Sequence, residues 1–134
     1  MLMKALGAFL VCTTMIACGK GGGGGSSTPE TNLVVTTTPA GGSTQAAAPG
    51  PTFPLNVTVT STMPPKGVTI AVSAAIDGQS GSSFFTSSTS TTTASNNFTI
   101  TNTPSQQTCL VTITVTSNTK SSNTVTVTYR YSMK

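Results

Sequence analysis

Between Thr52 and Lys134 the chain repeatedly alternates an apolar residue with a hydroxyl-bearing one. Cys109, Val111, Ile113 and Val115 interleave with Leu110, Thr112, Thr114 and Thr116. Val68, Ile70, Val72 and Ala74 interleave with Thr69, Ala71 and Ser73, and Val125, Val127, Tyr129 and Tyr131 with Thr126, Thr128 and Arg130. Shorter runs repeat the pattern at Leu55, Val57 and Val59 and at Phe98 and Ile100. A period of two sends alternate side chains to opposite faces of an extended strand, one face apolar and the other wet. Threonine is β-branched and suits the wetter face. No segment carries a helical 3.6-residue period of useful length.

Turn chemistry separates these runs. Met63-Pro64-Pro65-Lys66-Gly67 divides the first two, and Asp77-Gly78 with Gly81 closes the second. Asn96-Asn97, Thr103-Pro104-Ser105 and the stretch Asn118 to Asn123 supply the later breaks. Phe84-Phe85 and the Ser/Thr tract Thr86 to Thr93 form the least patterned part, readable as an edge strand or a loop. Six or seven short antiparallel strands in the 83 residues from Thr52 to Lys134 predict an all-β fold, a small antiparallel β-sandwich. A small β-barrel is the alternative closure. The last pair, Cys109 to Ser117 and Asn123 to Ser132, resembles the final hairpin of immunoglobulin-like and fibronectin type III-like domains of bacterial envelope proteins. The immunoglobulin Cys…Trp…Cys signature is absent, because the chain has no tryptophan.

The other end of the chain reads differently. Lys4 precedes an apolar stretch from Ala5 to Ile16, then Ala17, Cys18, Gly19, Lys20 and the run Gly21 to Gly25. A positive start, a short apolar core and a small residue at the cut describe a secretory signal. The 13 residues from Ala5 to Ala17 fall short of the roughly 17–25 needed to span a bilayer. Met15-Ile16-Ala17-Cys18 resembles the lipobox of bacterial lipoproteins. That resemblance implies cleavage between Ala17 and Cys18, diacylglycerol on the Cys18 thiol and further acylation of the new amine. Two or more acyl chains anchor stably where one binds marginally. By the same resemblance, Gly19 after the cysteine implies sorting to an outer membrane.

The chain therefore divides into a lipoprotein signal peptide (1–17), a lipidated cysteine with a tether (18–51) and the β-sandwich domain (52–134). The tether reading rests on composition: glycine runs, Ser26-Ser27-Thr28-Pro29, Thr36-Thr37-Thr38-Pro39 and Pro49-Gly50-Pro51. Such a segment buries too little apolar surface to offset its ordering entropy. Leu33-Val34-Val35 is a short apolar patch within it, expected to stay disordered with the rest, the alternative being that it docks on the domain as an extra strand.

Composition closes off much chemistry. Charged residues make up 6% of the chain, against roughly 25% in ordinary globular proteins. Lys66, Lys120, Arg130 and Lys134 are scattered rather than clustered, so no nucleic-acid footprint forms. There is no histidine, which excludes Ser-His-Asp and Cys-His catalysis. Glu30 and Asp77 are the two acids, too few for a carboxylate pair in the domain or a zinc or calcium site. Cys109 alone remains after Cys12 and Cys18 are set aside, and it reads as a buried thiol. The expectation is no enzyme, no cofactor and no metal.

Binding readings remain. Tyr129 and Tyr131 share one strand face and offer a possible sugar-stacking pair, although their parity with Val125 and Val127 places them in the core. Phe84 and Phe85 are neighbours in a strand, so one of them should face solvent. The tract Ser82 to Thr93 lacks the lysines and prolines that guard sheet edges, so a protein partner can add a strand there. The expected function is a lipid-anchored envelope protein presenting a structural or adhesive binding module. The alternatives are a periplasmic accessory or inhibitor of an envelope protein and a carbohydrate-binding module.

Overall fold

The computed structural model describes residues 29–79 and 81–134. Seven strands form: β1 (Val35–Thr38), β2 (Phe53–Val59), β3 (Val68–Ile76), β4 (Phe85–Thr91), β5 (Ser95–Ile100), β6 (Thr108–Ser117) and β7 (Thr124–Ser132). They make two antiparallel sheets, one ordered β1-β2-β5 and the other β4-β3-β6-β7. The order is compatible with an immunoglobulin-like sandwich, with β1, β2 and β5 in the places of strands A, B and E and β3, β6 and β7 in those of C, F and G.

The alternation in the sequence becomes the core. Along β6, Cys109, Val111, Ile113 and Val115 are buried, and the residues between them are half-buried. In β3 the same parity buries Val68, Ile70, Val72 and Ala74. Leu55, Val57 and Val59 of β2 and Ile100 of β5 complete the cluster from the other sheet. Each such side chain contributes about 1.5–3 kcal/mol on burial. The β3 and β6 registers bring Ile70 opposite Val115 and Val72 opposite Ile113, so the apolar faces coincide across the sheet.

The segment read as tether departs from that expectation. Thr36 and Thr38 pair with Thr58 and Asn56, and Leu33 is buried at 5% exposure. Residues 42–48 then cross to the other sheet and run parallel to β7, with bridges Thr44–Arg130 and Ala48–Met133. Composition misled here because one buried leucine and a row of backbone hydrogen bonds suffice to seat an otherwise polar arm. The first strand thus begins well before Thr52.

Two prolines govern where the arm changes sheets. The Val59 N–H donates to the Ala94 carbonyl at 2.9 Å, and the Thr60 N–H to the Val34 carbonyl at 2.8 Å. Backbone groups alternate sides along a strand. Odd positions of β2 therefore address β5, and even positions address β1. The pairing of β1 ends with Thr38 opposite Asn56. The next even position is Pro54, which has no N–H to offer. The arm leaves at Pro39 and finds its partners on β7 instead.

Candidate functional site

Departure of the arm opens a cleft of about 440 Å³ between β2 and the segment that follows Pro39. Phe53, Leu55 and Phe98 line it from one sheet, Tyr129 and Tyr131 from the other, and Pro39, Ala46 and Ala48 from the crossing arm. Asn56, Asn97, Gln45 and Thr99 supply polar groups. The lining is mostly apolar and contains no lysine, arginine or carboxylate.

The tyrosines sit in the core rather than on an open platform. Tyr129 is 1% exposed and Tyr131 3%. Their rings lie 6.3 Å apart, and Phe53 packs 4.6 Å from Tyr131 at a 57° tilt. This corrects the exposed sugar-stacking pair: parity with the valines of β7 prevails. The Tyr131 hydroxyl is 2.7 Å from the Thr103 hydroxyl in the β5–β6 connection. Among the described residues no hydrogen bond reaches the Tyr129 hydroxyl. Burial pushes Tyr131 up to about 12, the Thr103 bond opposing it. Tyr129 is raised further, by burial first and by Tyr131 second.

The polar wall is partly committed. Asn56 spends both amide protons, on Ser95 Oγ at 3.0 Å and Asn97 Oδ1 at 2.9 Å, and its oxygen accepts from Thr58 at 2.7 Å. Gln45 Nε2 donates to Ser43 Oγ at 2.8 Å.

Phe84 and Phe85 are both half-buried against the core cluster. The expectation that one faces out fails because Phe84 precedes the strand, where its N–H donates to the Ala74 carbonyl at 2.9 Å, and strand alternation does not apply to it. Val34, at 54% exposure, is the exposed large apolar residue among those described.

The tract Ser82 to Thr93 contains β4, and β4 is an edge strand. It pairs with β3 on one side only. The opposite edge of the same sheet, β7, is covered by the crossing arm: Gly42 and Gln45 donate to the carbonyls of Thr128 and Arg130 at 2.7 and 2.8 Å. No such cover lies over β4 among the described residues. Its seven residues, Phe-Thr-Ser-Ser-Thr-Ser-Thr, include no charge and no proline.

Other candidate chemistry is sparse. Cys109 is a free, fully buried thiol, and burial pushes its pKa up, which suppresses the thiolate. Arg130 Nε donates to Asp77 Oδ2 at 2.7 Å on the surface. Among the described residues no three acids, cysteines or histidines cluster as a metal site, and no helix is long and apolar enough to cross a membrane. Ala17 and Cys18 lie outside the described residues.

Sequence reasoning did not find the cleft, whose walls come from four separated segments. The available signal was Pro54 inside an otherwise regular strand pattern, which marks a place where a ladder must stop. Searches of protein families, curated proteins and solved structures find no match to this chain.

Proposed function

We propose that this is a lipid-anchored protein of the bacterial envelope that displays its β-sandwich as a structural or adhesive binding module. The observation that carries the reading is the sequence Met15-Ile16-Ala17-Cys18 at the end of a short apolar leader, followed by glycines and then by a compact domain. Acylation of Cys18 supplies the anchor. The twelve steps from Cys18 to Glu30 reach at most about 40 Å. The arm is pinned to the sandwich from Glu30 onward, so the domain works close to its membrane. The uncovered β4 edge supports docking of an envelope protein by strand addition.

Fractionation of cells carrying the wild-type chain or Cys18→Ala, with protease added to intact cells, tests this. Wild type is expected in the membrane fraction and cleaved from outside, and Cys18→Ala is expected to be released. A membrane-bound but protected wild type assigns the module to a periplasmic partner. Identical fractionation of the two chains removes the lipid anchor from the reading.

A further inference from the structure

The cleft beside β7 has the properties of a small-molecule site, and its construction says what class of molecule it takes. Its volume of about 440 Å³ lies within the roughly 300–1,000 Å³ of typical ligand pockets. The gap exists because Pro54 cannot extend the β1–β2 ladder, and the same missing N–H makes it a poor seat for an added peptide strand. Phe53, Phe98 and Tyr131 put aromatic rings into the lining, the kind of wall on which another ring packs offset or tilted. The absence of lysine, arginine or carboxylate from the lining leaves a buried ligand charge without a partner, which is costly.

Of the two buried tyrosine hydroxyls in the lining, one has no partner among the described residues. Tyr129 lines the cleft at 1% exposure, and no protein group among the described residues bonds its hydroxyl. Tyr131 and Asn56, also in the lining, have partners. A buried hydroxyl without a partner is unfavourable, and a ligand atom that accepts its proton relieves that.

We propose that the cleft binds an uncharged aromatic small molecule, its ring against Phe53, Phe98 and Tyr131 and an oxygen on its edge accepting a hydrogen bond from Tyr129. This goes beyond the anchored display module and does not depend on the lipid.

Calorimetric titration of the full chain with three probes tests it: 2-naphthol, naphthalene-2-sulfonate and methyl glucoside. 2-Naphthol is expected to bind one to one with a sub-millimolar Kd, and the charged sulfonate at least about tenfold more weakly. Tyr129→Phe keeps the ring and removes the hydroxyl. It is expected to weaken 2-naphthol about tenfold, the effect of one buried hydrogen bond, while melting no lower than wild type. The chain has two tyrosines and no tryptophan, and both tyrosines line the cleft. Near-ultraviolet circular dichroism of the free variants therefore checks that the site is intact. Absence of 2-naphthol binding, equal binding of the sulfonate, tighter binding of methyl glucoside or undiminished affinity in a folded Tyr129→Phe chain each overturns the proposal.

Discussion

The side-chain oxygen of Asn123 accepts the backbone N–H of Leu33 at 2.9 Å, across 90 positions of sequence. The same side chain donates to Glu30 Oε1 at 2.7 Å and to the Thr31 carbonyl at 2.9 Å. Ser117 adds a bond to Glu30 Oε2 at 2.9 Å. One asparagine after the β6–β7 turn thus seats the arm that becomes β1. Removing a hydrogen-bonded buried group costs about 1–3 kcal/mol. Asn123→Ala is expected to lose stability in that range and to open the arm first. Hydrogen exchange at Leu33 and Thr36 and protease cleavage before Val35 should rise well before global unfolding. An arm that stays protected in Asn123→Ala would show that β1 is held by its ladder alone.

The buried tyrosines predict an alkaline limit to stability. Below a pH of about 10 both residues keep their protons in folded and unfolded chains, so they add no pH dependence. Above it the unfolded chain ionises, while burial holds Tyr131 neutral to about 12 and Tyr129 beyond that. The unfolded state then binds fewer protons, and stability falls by about 1.4 kcal/mol per pH unit for each tyrosine. Cys109, raised by the same cause, starts the decline nearer its ordinary value of about 8.5. Urea unfolding at intervals between pH 9 and 12 checks this. The double variant Tyr129→Phe, Tyr131→Phe is expected to decline less steeply. An unchanged slope in that variant would mean that the tyrosines are not what limits the fold.

Among the described glycines, Gly67 is the one where an added side chain meets backbone. Its φ is 78°, a left-handed conformation, and a Cβ there would run into the Thr91 carbonyl oxygen at the end of β4. Its own carbonyl accepts the Asn118 N–H at 2.9 Å, tying the start of β3 to the end of β6. The conformation alone costs a non-glycine residue about 1–2 kcal/mol, and displacement of β4 adds to it. Gly67→Ala is therefore expected to lose about 2 kcal/mol or more in equilibrium denaturation. A loss under about 0.5 kcal/mol would mean that the turn and β4 shift freely together.

Most of the sandwich was legible because its strands bury one face. The alternation that runs through Val68, Ile113 and Tyr129 states which side points inward, and register follows from matching those faces. β4 gave a weaker signal because its outer edge and much of its surface are wet, so Ser and Thr fill it without an apolar rhythm. β1 was hidden for another reason. Its place is fixed by backbone pairing with β2, by Asn123 and by the buried Leu33, and of these only the short patch Leu33-Val34-Val35 leaves a mark in the local composition. The cleft lies further still from local sequence, since Phe53, Phe98 and Tyr129 meet only after both sheets have formed.

The contrast between the two edges of the larger sheet yields the last prediction. β7 is closed by the crossing arm, whereas β4 offers an uncharged, proline-free edge. Natural edges of that kind are usually guarded by lysine, proline or a bulge. If an envelope protein adds a strand here, amides of β4 are slow to exchange in the membrane fraction and fast in the purified chain. Ser88 is exposed in the middle of β4, and Ser88→Lys restores the missing guard. As an exposed substitution it is expected to change stability by no more than about 0.5 kcal/mol. It should nevertheless return β4 exchange in the membrane fraction to the purified rate. Equal, rapid exchange of wild-type β4 in both settings would rule out strand addition, leaving the unguarded edge as a property of a charge-poor sequence.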